Sequence, residues 1–310
     1  ARVTMLIRAD GAALRVDAPA KLNLFLEVLG KRDDGFHELE TLMVTISLHD
    51  TLRFTEEPTP AIRLRCHGRS GVDDSVPSGD DNLVVQAAKL LQAHSGTSRG
   101  AAIDLWKRIP VSAGLAGGST DAAATLVALD RLWELGLSSG ELLSLAAELG
   151  SDVAFFVRGV PAAICRGRGE EIHPVERSLE LSFVVARPAS GLSTAEVYRH
   201  CQVSSDPRSA QPLVELLADG RLADASRFFH NSLQQTASRL NREVTDLITQ
   251  LDRHTRRQVT AFEVDTPEPQ ELASGNRHPA GFEGQVNRAL LDDAVDVVTP
   301  GIIIEQAIDR

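Results

Sequence analysis

Hydrophobic and polar positions alternate along much of the first hundred residues, then give way to helical spacing. Leu14-Arg15-Val16 alternates, Ala18-Pro19-Ala20 interrupts it, and Leu22-Asn23-Leu24-Phe25-Leu26-Glu27-Val28 resumes a period of two. This predicts a strand pair or one long strand over 14–29. Lys31-Arg32-Asp33-Asp34-Gly35 is a charged turn, and strands are expected over 39–48 and 51–55, joined through His49-Asp50. Another strand is expected over 62–66, followed by a polar loop and a helix over 83–93 capped by Asp81-Asn82. Residues 101–109 alternate as a strand, and helices follow over 119–135 and 139–149, the second capped by Ser138-Ser139. Residues 153–157, 162–166 and 182–186 read as short strands, and 193–201, 211–218, 221–229 and 233–252 as helices. A domain change near 175–180 would divide residues 1–177 from 178–310. Internal repeats and low-complexity tracts are absent.

With 310 residues the chain is long enough for two cores, and 43% hydrophobic with 24% charged residues is ordinary for a globular protein. The net charge of −11 argues against nucleic acid or an anionic membrane as partner, while leaving room for a local basic pocket. No apolar run approaches the roughly 18–20 residues of a spanning helix. Arg2, Arg8, Asp10 and Arg15 break the first stretch, so a secretory signal is not expected in it. Cys66, Cys165 and Cys201 have no metal-ligand spacing and read as free thiols of a reducing cytoplasm.

Candidate chemistry concentrates in Ile109-Pro110-Val111-Ser112-Ala113-Gly114-Leu115-Ala116-Gly117-Gly118-Ser119-Thr120-Asp121. Glycines let backbone N–H groups approach an anion, and the helix that follows offers unpaired donors at its positive end. Together they would cradle a phosphate. No lysine follows the glycines, so this is not a Walker A loop, and the spacing is not that of a dinucleotide fingerprint. A plain strand-to-helix connection stays open as the alternative, as do simple capping roles for Ser119 and Thr120. Lys21 and Asn23 lie two apart in an apolar strand and therefore share a face, either a solvated one or a functional one. Asp152 opens the apolar run Val153-Ala154-Phe155-Phe156, where an acid either caps or reacts.

Four segments in order, Pro19-Ala20-Lys21-Leu22-Asn23-Leu24, Gly35-Phe36-His37-Glu38-Leu39, the glycine loop with Ser119-Thr120-Asp121-Ala122-Ala123, and Gly150-Ser151-Asp152-Val153-Ala154-Phe155-Phe156, resemble the GHMP kinase superfamily over about residues 14–235. The Gly-Phe-His-Glu-Leu segment is similar to that of the branch acting on a cytidine-diphosphate-linked methylerythritol in the non-mevalonate isoprenoid pathway. The resemblance implies an α+β, two-domain fold with the active site in the cleft between domains. It implies ATP and Mg²⁺, and transfer of the γ-phosphoryl group to the acceptor's 2-hydroxyl. Asp152 matches the acid thought to accept the hydroxyl proton, and Lys21 the lysine that orients the hydroxyl. Asn82, Pro110, Ser112, Gly114, Leu115, Ala116, Gly117, Gly118, Ser119 and Thr120 match the nucleotide-binding positions. Asn23, Phe36, His37 and Tyr198 match the acceptor side, His37 facing the cytosine edge and Phe36 and Tyr198 stacking on the base, although Tyr198 also reads as a core residue on a helix. A homodimer is compatible with the resemblance.

The resemblance also marks a departure. Asn231-Ser232-Leu233 is present, but the third glycine-rich loop expected after it is not; Ser274-Gly275-Asn276 and Gly281-Phe282-Glu283-Gly284 are poor substitutes. Either the last fifty or so residues are altered, as by a change of reading frame, or a divergent branch has rebuilt them. Two further readings stay open for that reason: another GHMP small-molecule kinase, and a relative that binds nucleotide or acceptor without turnover. Pro, Glu, Gly and Arg dominate residues 254–285, which are expected to be disordered.

Overall fold

Two long antiparallel strands form the spine of the molecule. The computed structural model describes residues 3–68, 77–111, 113–177, 179, 181–186, 188, 190, 192–261 and 308–309. β1 (Leu6–Asp10) turns into β2 (Ala13–Lys31), which pairs with β3 (His37–Glu57) along nearly its full length. β2 passes through Pro19 because the ladder shifts register between Pro19 and Lys21, so the missing N–H falls at an irregularity. β3 is a single strand where a break at His49-Asp50 was expected. Asp50 can sit inside it, fully buried, because its carboxylate is satisfied by the backbone amides of Arg108 and Ile109 and by Lys107.

β4 (Ile62–His67) lies at the edge of the sheet, parallel to β5 (Gly100–Trp106), which borders the carboxy-terminal half of β3. Between them runs α1 (Leu83–Ser95), started by Asn82, whose side chain accepts from the Val84 amide. β5 ends at Trp106, three residues short of the expected strand. α2 (Gly117–Leu132) begins two residues early, directly in the glycine loop. α3 (Ser139–Leu149) carries a full Ser138–Glu141 capping box.

The run 153–157 is a helix, not a strand: α4 spans Ser151–Arg158. Val153, Ala154, Phe155 and Phe156 are all buried between α2, α3 and the sheet, and a short continuous apolar run fits a buried helix as well as a strand. β6 (Ala162–Arg166) pairs with the amino-terminal half of β3, and β7 (Glu171–Pro174) with β6. Residues 182–186 form no strand, and Val184 is 69% exposed. A short apolar run does not make a strand without a neighbour to receive its hydrogen bonds, and among the described residues none is paired to it.

β8 (Leu192–Ser193) leads into α5 (Thr194–His200), and α6 (Gln211–Ala218) and α7 (Leu222–Ala225) follow. The helix expected over 221–229 ends with α7 and a 3₁₀ turn, Ser226–Phe228. β9 (His230–Asn231) joins β2, and the helix expected over 233–252 is broken at Asn241 into α8 (Gln234–Leu240) and α9 (Arg242–Ala261). Asn241 takes an extended conformation and its side chain accepts from the Glu243 amide, which caps α9 anew. The start of the stretch expected to be disordered, 254–261, continues α9, while 262–285 and the glycines at 275, 281 and 284 lie outside the described residues. β10 (Ile308–Asp309) runs parallel to β8.

The sheet is covered on both faces. One face packs α1 to α4 through Phe54, Leu91, Ile103, Leu126 and Phe155; the other packs α6 and α7 through Leu22, Leu24, Leu42, Val44 and Leu213. Leu22 and Leu24 take the α6 side, so Lys21 and Asn23, alternating with them, turn toward α4. No helix among the described residues is long and apolar enough to cross a membrane.

Candidate active site

Lys21 is buried in β2, and its ammonium lies 4.0 Å from the carboxylate of Asp152 in the first turn of α4. Asp152 keeps 33% of its side chain exposed, so the pair has a closed side and an open one. A lysine held this far from water needs such a carboxylate nearby. Cys165 of β6 shares the field of both groups, and burial pushes its thiol up to about 12, leaving it un-ionised and unreactive. Asn23 completes this floor; Thr41 donates to its side-chain oxygen at 3.3 Å.

The glycine loop meets this pair through the backbone: the Lys21 amide donates to the Leu115 carbonyl at 3.2 Å. Gly114 (φ 71°) and Ala116 (φ 55°) are left-handed, which turns the chain sharply into α2. At Gly117 a Cβ would stand 2.9 Å from the Ile109 side chain and 3.1 Å from Lys107 Nζ, so glycine is required there by close approach. Pro110 and Ser119 are half-buried, Gly118 is exposed, and Leu115 is buried. Ser112 lies outside the described residues. Thr120 is buried with its hydroxyl lacking a hydrogen-bond partner. Asn82 is engaged as the cap of α1 and by donation to the Pro77 carbonyl.

Beneath the loop lies a charge cluster that the sequence reading missed. Lys107 Nζ contacts Asp50 at 2.5 Å and Asp121 at 2.8 Å, with all three side chains buried. Asp50 also accepts the amides of Arg108 and Ile109, so it anchors the chain where the loop begins. Burial pushes Asp121 up, to about 8, the Asp50 charge adds to this, and Lys107 opposes it. Burial works against the Lys107 charge, but the two carboxylates outweigh it and hold the ammonium protonated. A buried lysine just after an alternating strand was the available sequence signal.

At the start of β3, His37 stacks on Tyr198 of α5, ring centroids 5.1 Å apart. Burial lowers the His37 pKa, aided by Lys31, so the imidazole is neutral near pH 7. Phe36 is 49% exposed, and the Arg168 guanidinium sits 4.7 Å from its ring centroid. His37 and Tyr198 are thus brought together; Phe36 is next to His37 in sequence but faces Arg168.

Residues 82–160 match the family described as GHMP kinases N terminal domain. The 4-diphosphocytidyl-2-C-methyl-D-erythritol kinase of Alcanivorax borkumensis is 40% identical over 242 residues, covering 78% of this chain and 77% of that one. That of Pelotomaculum thermopropionicum is 43% identical, covering 74% and 79%. The chain belongs to the 4-diphosphocytidyl-2-C-methyl-D-erythritol kinase family. A crystal structure of 4-(cytidine 5'-diphospho)-2C-methyl-D-erythritol kinase superposes with a TM-score of 0.60 at 34% identity, covering 76% of this chain and 81% of that one. The fold extends to a homoserine kinase from Cytophaga hutchinsonii, with a TM-score of 0.56 at 17% identity. The α+β architecture expected from the sequence is therefore that of the kinase family.

Two buried glutamates secure the second half of the chain to this kinase sheet, and the sequence reading had not singled them out. Glu27 and Glu40 are cross-strand partners on β2 and β3. Glu27 accepts from the Ser232 hydroxyl and the Arg208 amide, and Glu40 from the Ala210 amide, the Ser209 hydroxyl and Arg166. Burial works to raise both, yet these donors hold them below the usual carboxylate value.

Proposed function

We propose that this chain transfers the γ-phosphoryl group of ATP to the 2-hydroxyl of 4-diphosphocytidyl-2-C-methyl-D-erythritol. The observation that carries this is the Lys21–Asp152 pair, 4.0 Å apart, tied through the Lys21 amide to the glycine loop. The loop and the start of α2 bind the triphosphate through backbone N–H groups and the helix dipole. Asp152 takes the proton from the acceptor hydroxyl as the new O–P bond forms and the bond to the β-phosphate oxygen breaks, releasing ADP. Lys21 orients that hydroxyl and offsets the charge that grows on it. Positioning and electrostatics supply most of the rate in phosphoryl transfer.

Mg²⁺ would be held chiefly by the nucleotide phosphates, as is usual where this ion serves phosphoryl transfer. The hydroxyls of Ser119 and Thr120 would assist, and the partnerless Thr120 oxygen fits such a role. Bound there, the ion would neutralise phosphate charge. On the acceptor side, Tyr198 and Phe36 flank the base and His37 faces the cytosine edge, with Asn23 near the polyol. The stacked His37–Tyr198 pair and the exposed Phe36 ring support this. Two folding units, 1–177 and 178–310, meeting at the cleft, a cytoplasmic location, and a homodimer without nucleic-acid or membrane partners belong to the same reading.

A second reading is a relative that binds without turnover. It is favoured by the lack of the third glycine-rich loop expected in the sequence after Asn231-Ser232-Leu233 and, among the described residues, by the absence of a strand partner for 182–186, where Val184 is exposed. Incubation with ATP, Mg²⁺ and the acceptor separates the two. ADP release that depends on the acceptor and vanishes in Asp152→Ala supports the kinase; binding of both substrates with no ADP supports the second reading.

A further inference from the structure

Arg168 is a cation near the acceptor side of the site that the mechanism leaves unused. It lies in the turn between β6 and β7, and that turn touches both ends of the site. At one end its guanidinium carbon is 4.7 Å from the Phe36 ring centroid. At the other, a Cβ on the adjacent Gly169 would stand 3.5 Å from Ser151, the residue before Asp152. The turn is fixed to β3 by the Leu39 amide, which donates to the Gly167 carbonyl at 2.9 Å. β3 itself spans the site: His37 at the base end, and Thr41, which touches Asn23 and pairs with Cys165, at the hydroxyl end. Four residue steps along the strand separate them by about 13 Å. Leu39 is the midpoint, and Arg168 is docked beside it.

We infer that Arg168 binds the diphosphate bridge of the acceptor, the doubly charged group that must lie between a base at His37 and a hydroxyl at Asp152. This rests on the acceptor reading above. A guanidinium matches two phosphate oxygens at once. Its Nε faces Glu170 at 3.5 Å and Asp34 lies in its field, so the neighbouring acids hold the side chain at the mouth of the site. Cation–π contact with Phe36 couples the base-stacking ring to the phosphate-binding group. The arginine would thereby select acceptors joined through a diphosphate over the free nucleoside.

The test is calorimetric titration of cytidine and of CDP into the whole protein and its Arg168→Ala, Arg168→Gln and Arg168→Lys variants. The expected result is a CDP affinity lowered roughly tenfold or more in the Ala and Gln variants, with cytidine affinity unchanged and partial recovery in the Lys variant. Equal loss for cytidine and CDP would reduce Arg168 to a stacking partner of Phe36 and overturn the proposal. Unchanged CDP affinity in all three variants would overturn it while leaving the acceptor reading intact. Wild-type protein that holds neither ligand would remove the base pocket, and both readings with it.

Discussion

Replacing Lys107 by Met tests whether the glycine loop rests on a buried charge cluster. The ammonium contacts Asp50 at 2.5 Å and Asp121 at 2.8 Å, and neither acid has meaningful access to water. Removing it leaves the Asp50 carboxylate facing Asp121 with no counter-ion in a dry interior, a change that costs about 3–5 kcal/mol. For a chain of this size that is on the order of 10 °C in Tm. The cluster holds one cation against two acids, so Asp121→Asn should behave oppositely. The folded Asp121 stands near 8 against an ordinary 3.8, so the native state retains a proton that the unfolded chain releases. Its contribution is present below about pH 4 and fades as pH rises toward 8. Asparagine keeps the uncharged form throughout and should gain on wild type over that window. The double variant Lys107→Met/Asp121→Asn should recover much of the loss, since Asp50 retains two amide donors. Thermal melts from pH 5 to 8 read all of this. A Lys107→Met Tm within about 2 °C of wild type, or Asp121→Asn as damaging as Lys107→Met at pH 8, would refute the reasoning.

Gly117→Ala pushes a methyl to 2.9 Å from Ile109, which should cost about 1–3 kcal/mol and weaken ATP binding; a denaturant curve and an ATP titration measure the two effects. Glu27 and Glu40 are held below their ordinary 4.5, so their contribution is full above that pH and lost as pH falls through the lowered values. Acid should therefore release residues 208–232 from the sheet first, and Glu27→Gln should flatten the dependence, as hydrogen exchange at Arg208 and Ser232 would report. Tyr198→Ala removes the ring stacked on His37 and should weaken cytidine binding more than ATP binding, measured by titration of each.

The parts of the site legible in the sequence were those whose chemistry is local. A glycine loop running into a helix, and a lysine and asparagine two apart in an apolar strand, announce themselves by spacing. The cluster under the loop did not, because Asp50 and Lys107 are 57 residues apart and only burial makes them partners. Alternation found β2, with one long strand among its readings, but split β3 at His49-Asp50, since a buried aspartate inside a strand looks like a turn until its donors are known. Val153 to Phe156 misled for the opposite reason: an apolar run buried on all sides carries no period. Residues 182–186 carry a strand pattern, but pairing is a property of two segments, and one segment cannot reveal it.

The central claim is that Asp152 takes the acceptor's proton in phosphoryl transfer from ATP. The most direct measurement follows the acceptor by phosphorus NMR in the presence of ATP and Mg²⁺, for the wild type and Asp152→Asn. The wild type should form one new phosphomonoester per ADP, and the variant should react about 10²–10⁴ more slowly with CDP binding retained. A variant that phosphorylates at the wild-type rate, or a wild type that yields only ADP and inorganic phosphate, would contradict it.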